Sequence, residues 1–118
     1  MSALPVAFND SLISKGTGDN QFNQEIWLLH GYASNEGDLS ALSPYFGRHY
    51  TIRSLRATFP LPAGGFAWYG IEFDFNGLKK TNLPQAQDSL LLISDALDWH
   101  KSSYPNSPRP ILMGFSQG

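Results

Sequence analysis

The 118-residue chain contains no cysteine, which excludes disulfides, a catalytic thiolate and zinc sites with cysteine ligands. Charge is also scarce. Charged residues make up 15% of the chain and the net charge is -2, with lysine and arginine scattered along it. A nucleic-acid partner is therefore not expected. No segment approaches the roughly 18 apolar residues of a membrane span, and the N-terminus lacks the features of a signal peptide. These absences predict a cytoplasmic protein without a membrane span.

Hydrophobic residues form 42% of the chain, which is typical of a globular protein. The length and the absence of a dividing linker predict a single domain over residues 1–118. No metal-ligand spacing and no phosphate-binding glycine loop is present, so neither a metal ion nor an organic cofactor is expected.

One apolar run predicts a strand that is buried on both faces. Residues Ile26–Leu29 are apolar without interruption, a pattern typical of a central parallel strand covered by helices. Shorter runs predict three more strands, at Phe8–Ser14, Tyr50–Leu55 and Ile111–Met113, the first followed by a turn over residues 15–20.

Two helices are expected between these strands. Ser34 and Asn35 offer an N-cap for a helix of about three turns, which ends at Gly47. A second helix is predicted from Pro84 to His100. Its expected core-facing stripe consists of Ala86, Leu90, Ile93 and Leu97.

Residues 56–83 are rich in proline, glycine and aromatic residues. Loops of this length are uncommon in compact domains and are usually functional or disordered, and the aromatic residues argue against disorder. A packed loop that lines a pocket is expected, and its exposed faces could support a homodimer. Taken with the alternation of strands and helices, the pattern predicts an α/β fold with a parallel sheet flanked by helices.

The last five residues, Gly114-Phe-Ser116-Gln-Gly118, match the G-x-S-x-G pattern of a nucleophile elbow. In such an elbow the chain turns sharply from strand to helix, and the serine hydroxyl is exposed at the carboxyl edge of the sheet. The bare pattern is weak evidence, because the chain contains many serines and 11 glycines. Its position directly after an apolar strand makes Ser116 the candidate nucleophile.

His30-Gly31-Tyr32 follows the strongest predicted strand, at the sheet edge where α/β folds bind ligands. In folds with a nucleophile elbow, the oxyanion hole takes one amide from the loop after this strand and one from the residue after the nucleophile. By position, these are the amides of Tyr32 and Gln117. His30 is expected to fix the loop by hydrogen bonds rather than to act in catalysis.

Four blocks of the chain resemble the phospholipase/carboxylesterase family of α/β-hydrolases, which includes the acyl-protein thioesterases. The blocks are Leu28-Leu-His-Gly-Tyr-Ala-Ser-Asn-Glu36, Arg56-Ala57, Gly64-Gly-Phe-Ala-Trp-Tyr69 and the final Gly114-Phe-Ser-Gln-Gly118. They occur in the family's order and correspond to its N-terminal half.

The resemblance implies an α/β-hydrolase fold and a serine hydrolase that cleaves carboxylic esters or thioesters of a small-molecule or acylated substrate. It implies Ser116 as nucleophile and Tyr32 and Gln117 as the oxyanion hole. It places Trp68, with its neighbours Phe66 and Tyr69, beside the acyl-binding site. A core aromatic that anchors the loop is an equal alternative for Trp68.

The triad of this fold follows the order serine, acid, histidine along the chain, and only Gln117 and Gly118 follow Ser116. The acid and the base are therefore expected beyond residue 118, with the fold truncated after the elbow. His49 and His100 are expected at the surface.

Two alternatives to the esterase or thioesterase function stay open. One is an inactive fragment or binding remnant with an aromatic loop for an apolar ligand or partner. The other is another hydrolase of the same fold, such as a peptidase or lipase.

Overall fold

The computed structural model describes residues 3–16, 24–47 and 49–118. Within these ranges the chain forms eight strands and two α-helices. The strands are β1 (Leu12–Ser14), β2 (Glu25–Leu29), β3 (Thr51–Leu55), β4 (Phe59–Pro60), β5 (Phe66–Ala67), β6 (Ile71–Phe73), β7 (Lys79–Thr81) and β8 (Ile111–Gly114). The helices are α1 (Glu36–Ser40) and α2 (Leu83–Ser103), and 3₁₀ turns lie at Val6–Phe8 and Ser43–Phe46. The turn predicted over residues 15–20 falls partly outside the described residues.

The main sheet has four strands in the order β1-β3-β2-β8. Strands β3, β2 and β8 are parallel, and β1 is antiparallel to β3. The predicted parallel sheet is thus confirmed, with one antiparallel strand at its edge. Leu29 pairs with Leu55 on one side and with Gly114 on the other. The carboxyl ends of the three parallel strands therefore lie side by side, which is where ligands bind in this class of fold.

Strand β2 is buried along its whole length, as its uninterrupted apolar run predicts. Because side chains alternate between the two faces of a strand, the run supplies two separate cores. Trp27 and Leu29 pack with Ala96 of α2 on one face. Ile26 and Leu28 pack on the other face, where α1 and the following 3₁₀ turn lie.

Helix α1 begins where predicted but is shorter than the three turns expected. The Asn35 side chain accepts a hydrogen bond from the Gly37 amide at 2.8 Å, which caps the helix. The α-helix ends at Ser40 because Pro44 has no amide hydrogen, and its ring would clash with the carbonyl four residues earlier. The 3₁₀ turn Ser43–Phe46 follows, and Gly47, with a φ of 89°, ends the segment as predicted.

The prediction of a single loop over residues 56–83 is wrong in part. Two small antiparallel sheets form there, β4 with β5 and β6 with β7. Their strands are two or three residues long, which is too short for an alternating pattern to show in the sequence. The first hairpin packs on the core, whereas the second carries exposed aromatics, with Phe73 69% and Phe75 108% exposed.

Helix α2 matches the second predicted helix, and Ile93 and Leu97 of the predicted stripe pack against the core, but the stripe is wrong at Leu90. Leu90 is 67% exposed, whereas Ser89, Ala96 and His100 are buried. The prediction that His100 lies at the surface is therefore wrong, because the helix turns a partly polar face towards the sheet. His49 is exposed as expected. No helix within the described ranges is both long and apolar enough to cross a membrane.

Candidate active site

Ser116 lies two residues beyond the end of β8, at the carboxyl edge of the sheet. Its φ is 57°, in the left-handed region that residues with side chains rarely adopt. The amide of Phe115 donates to the Leu29 carbonyl at 3.1 Å, and the amide of Gly118 donates to the Phe115 carbonyl at 3.0 Å. These two bonds close a tight turn on the end of β2, with Ser116 exposed at its tip.

The two outer glycines of the motif are required by space. A side chain at Gly114 would overlap the backbone of Gly118, and one at Gly118 would overlap the carbonyl oxygens of Leu29 and His30. Backbone atoms cannot move aside as the end of a flexible side chain can. The spacing of glycine, serine and glycine therefore follows from the sharpness of the turn.

The loop after β2 packs directly against this turn. A Cβ built on Gly31 would lie 3.4 Å from the Cβ of Ser116. Tyr32 follows with its side chain 40% exposed. Ala33 then adopts a φ of 63°. Its amide donates to the Phe66 carbonyl at 3.0 Å, which ties the loop to the first hairpin.

His30 is buried beneath this loop and forms hydrogen bonds through both ring nitrogens. Its Nε2 accepts from the Ala57 amide at 3.0 Å. Because Nε2 accepts, Nδ1 carries the proton, and it lies 2.8 Å from the Gly31 carbonyl, to which it donates. The prediction that His30 fixes the loop by hydrogen bonds is confirmed.

The aromatic segment over residues 66–69 lies between the loop after β2 and the elbow over residues 114–118. Trp68 is 3% exposed, its ring lies 5.6 Å from that of His30, and its indole N–H donates to the His30 carbonyl at 2.8 Å. These contacts fit the anchoring interpretation of Trp68. Phe66 and Tyr69 are partly exposed. Contact of any of the three with a substrate stays a prediction.

The Gln117 side chain spans the gap between the elbow and the aromatic segment. Its Oε1 accepts from the Trp68 amide at 2.8 Å, and its Nε2 donates to the Tyr69 carbonyl at 2.7 Å. The sequence pattern indicates a role for the amide of Gln117 and none for its side chain. The bonds join residues 48 and 49 positions apart, so no local pattern signals them.

A charged pair lies beside the same segment. Arg56, just after β3, contacts both carboxylate oxygens of Glu36, with Nε to Oε2 at 2.7 Å and Nη2 to Oε1 at 2.5 Å. This hydrogen bonding lowers the pKa of the Glu36 carboxyl and raises that of the Arg56 guanidinium. The guanidinium carbon also lies 4.7 Å from the centre of the Phe66 ring. The pair thereby connects α1, β3 and the first hairpin.

Ser116 has no general base among the residues that the structure describes. Its hydroxyl forms no hydrogen bond with them, and His30 Nε2 is occupied by the Ala57 amide. His100 lies at the other end of β2, with its Nε2 3.4 Å from Glu25 Oε2.

The amides of Tyr32 and Gln117 likewise donate to no described residue, so both are free to bind a ligand oxygen.

A cavity of ≈ 370 Å³ lies between the second hairpin and the start of α2. It is lined by Gly70, Glu72, Lys80, Thr81, Asn82, Leu83 and Pro84. None of the predicted site residues lines it, although it begins one residue after Tyr69. In the described part of the chain, no three histidine, aspartate or glutamate side chains come close enough to hold a metal ion.

Three of the solved structures that resemble the chain illustrate the likeness. A carboxylesterase from Mesorhizobium loti has a TM-score of 0.71 and 16% identity, over 100% of this chain and 53% of its own. Esterase PE8 has a TM-score of 0.71 and 21% identity, over 91% of this chain and 52% of its own. YahD with malic acid has a TM-score of 0.68 and 17% identity, over 92% of this chain and 52% of its own.

These likenesses show that the chain has the α/β-hydrolase fold, as predicted. The chain spans about half the length of each of these structures. No protein-family model matches the sequence, and no curated protein sequence matches it.

Proposed function

We propose that the chain is the nucleophile-bearing part of a serine hydrolase that cleaves carboxylic esters or thioesters. One observation carries the proposal: Ser116 has a φ of 57° at the carboxyl end of a parallel strand, between two glycines that have no room for a side chain. Strain of this kind persists only where the surrounding structure enforces it, and it is concentrated at functional sites. The esterase and carboxylesterase names among the structural neighbours support the same activity.

In the proposed reaction, Ser116 Oγ attacks the carbonyl carbon of the ester, and a histidine base takes the hydroxyl proton. The carbonyl oxygen becomes an oxyanion, which the amides of Tyr32 and Gln117 stabilise. A donor of this kind contributes about 3 kcal/mol to the stability of the transition state. The protonated base then delivers the proton to the leaving alcohol or thiol, and water releases the acyl group by the same steps.

The acid and the base of the proposed triad belong to a longer protein, beyond Gly118. Two observations support this placement. The ring nitrogens of His30 are both committed to the protein backbone, and the chain spans about half the length of its structural neighbours. In this fold the acid and the histidine follow the serine along the chain.

The activity is tested by steady-state hydrolysis of p-nitrophenyl acetate, a matched acyl-thioester and a short peptide by the longer protein. Ser116→Ala should reduce kcat/KM for the ester by about 10³-fold or more. Ser103→Ala, at the exposed end of α2, is the control and should retain full activity. Equal rates for Ser116→Ala and the unmodified protein would rule out Ser116 as the nucleophile. Cleavage of the peptide alone would favour a peptidase of the same fold.

A second candidate, a binding remnant without catalytic activity, is favoured for the isolated chain by the absence of a hydrogen-bonded base at Ser116. The same ester assay on residues 1–118 alone distinguishes the two. Activity of the longer protein and none of the isolated chain assigns catalysis to the longer protein. Inactivity of both leaves the binding function.

A further inference from the structure

Three separate segments meet at Ser116: the loop that contains Gly31 and Tyr32, the aromatic segment over residues 66–69, and the elbow that contains Gln117. The loop is tied to the aromatic segment by a bridge in which the Phe66 amide donates to the Ser34 carbonyl at 2.8 Å. Within the described residues, the elbow is tied to the same segment by hydrogen bonds of the Gln117 side chain alone. The aromatic segment therefore connects the two peptide units whose amides form the proposed oxyanion hole.

We propose that Gln117 is a positioning residue for ester hydrolysis, and that its side-chain amide fixes the distance between the two oxyanion-binding amides. The inference rests on the proposed function. It concerns the side chain of Gln117, which acts through the aromatic segment and not through contact with the substrate. The backbone amide of the same residue keeps its separate, proposed role as a donor to the oxyanion.

The chemistry of the contact selects a carboxamide. One end of the group must accept a hydrogen bond from the Trp68 amide while the other donates to the Tyr69 carbonyl. The glutamine side chain offers an acceptor and a donor side by side on one planar group. A carboxylate keeps the acceptor but has no donor, and it places negative charge against a carbonyl oxygen. A thioether of similar length makes neither bond.

The aromatic segment is firm enough to serve as a reference point. The carbonyl of Trp68 accepts a hydrogen bond from Ser89 Oγ at 2.5 Å, which ties the segment to α2. The indole N–H of Trp68 donates to the His30 carbonyl, and both Ser89 and Trp68 are buried. Loss of the Gln117 bonds would therefore leave the segment in place and the elbow bonded to β2 through Phe115, but it would remove the tie between the elbow and the segment.

The test uses two variants of the longer protein, Gln117→Glu and Gln117→Met, with Gln87→Glu as the matched control because Gln87 is exposed on α2. We expect kcat for p-nitrophenyl acetate to fall by about tenfold to a hundredfold in both Gln117 variants, since a misplacement of ~1 Å has a cost of this size. KM should stay within about threefold of the unmodified value, because ground-state binding is not affected. Gln87→Glu should leave both constants unchanged.

A pH profile separates positioning from a general loss of structure. A protonated carboxyl group again has one donor and one acceptor, so acidification should restore both bonds in the Gln117→Glu variant. An ordinary glutamate has a pKa of about 4.3, and the Tyr69 carbonyl oxygen, which faces this position, raises it by disfavouring the charged form. The activity of Gln117→Glu relative to the unmodified protein should thus rise by about fivefold or more between about pH 8 and about pH 5.5. The relative activity of Gln117→Met should stay low throughout.

Three results would overturn the inference. In the first, both variants retain the unmodified kcat. In the second, both lose activity but Gln117→Glu shows no recovery at low pH, which assigns the loss to folding. In the third, the unmodified protein hydrolyses no ester, and the proposed function then fails together with the inference. The first two leave ester hydrolysis by the unmodified protein intact, so they are distinguishable from the third.

Discussion

Gly64 and Gly65 are neighbours that both have a positive φ, at 109° and 76°, but their surroundings differ. A side chain at Gly64 would meet no atom within 4 Å, whereas one at Gly65 would overlap the backbone of Ala33. Ala33 follows Tyr32, a proposed oxyanion donor. A side chain at Gly64 therefore adds only the free-energy cost of an unusual backbone conformation. A side chain at Gly65 adds the cost of displacing the loop as well.

We predict that Gly65→Ala is more damaging than Gly64→Ala. Gly64→Ala should lower the free energy of unfolding by about 1–2 kcal/mol through backbone strain alone. Gly65→Ala should lower it by a further ~1–3 kcal/mol through overlap and should also reduce kcat, because the loop beside Ser116 is displaced. Urea denaturation and ester hydrolysis measure the two effects. Equal stability and equal kcat for the two variants would contradict this account of the loop.

His100 is 2% exposed, and its buried Nε2 forms no hydrogen bond in the described structure. Burial lowers the pKa of its imidazole. The pKa is therefore lower in the folded state than the ordinary value of about 6.5. The contribution of the neutral imidazole to the free energy of unfolding is fully present above about pH 6.5. It is lost as the pH falls through the folded-state pKa.

Acidification from about pH 7 to about pH 5 should therefore lower the free energy of unfolding, and His100→Gln should make that dependence shallower. The exposed His49 provides the control, since His49→Gln should leave the pH dependence as it is. Urea midpoints at several pH values measure it. An unchanged pH dependence in His100→Gln would show that the imidazole does not contribute in this way.

At the scale of the elements, α2 supports the site through a polar residue on its buried face. Ser89 Oγ donates to the Trp68 carbonyl, and both residues are buried. Ser94 lies on the exposed part of the same helix. The two serines thus share a helix and differ in burial.

We predict that Ser89→Ala costs about 1–3 kcal/mol of unfolding free energy, because it leaves a buried carbonyl without a donor. Ser94→Ala should be neutral or slightly stabilising, since alanine has the higher helix propensity. Thermal or urea denaturation compares them. A loss from Ser94→Ala as large as that from Ser89→Ala would show that the bond to Trp68 does not determine the effect.

The same elements show how far the sequence predicts the fold. Strand β2 and the cap at Asn35 follow from local patterns, since an apolar run and a capping side chain act within a few residues. The glycines of the elbow are visible for the same reason. The buried position of Ser89 and the bridge from Gln117 depend on contacts between distant segments, so no local period reveals them. Strands of two or three residues, as in the hairpin of β4 and β5, are equally hidden.

At the scale of the whole molecule, the sheet ends in an apolar edge. The apolar residues of β8 are partly exposed, at 47% for Ile111, 44% for Leu112 and 39% for Met113. Among the described residues, β8 pairs with β2 along one edge and with no strand along the other. An exposed apolar edge strand is a template for association with other chains.

We predict that residues 1–118 alone self-associate through β8. Leu112→Lys should reduce the association, because a charged residue on an edge strand disfavours pairing. Leu90→Lys is the control, as Leu90 is an exposed leucine away from the sheet, on α2. Light scattering at matched concentrations measures the effect. Equal self-association of the two variants would locate the contact elsewhere.

We propose Ser116 as an activated nucleophile, and the reaction of the longer protein with a fluorophosphonate tests this proposal. Intact-mass measurement and peptide mapping follow the reaction. We expect one adduct, located on Ser116, and none on the Ser116→Ala variant. No adduct on the folded protein, or an adduct on another serine, would contradict it.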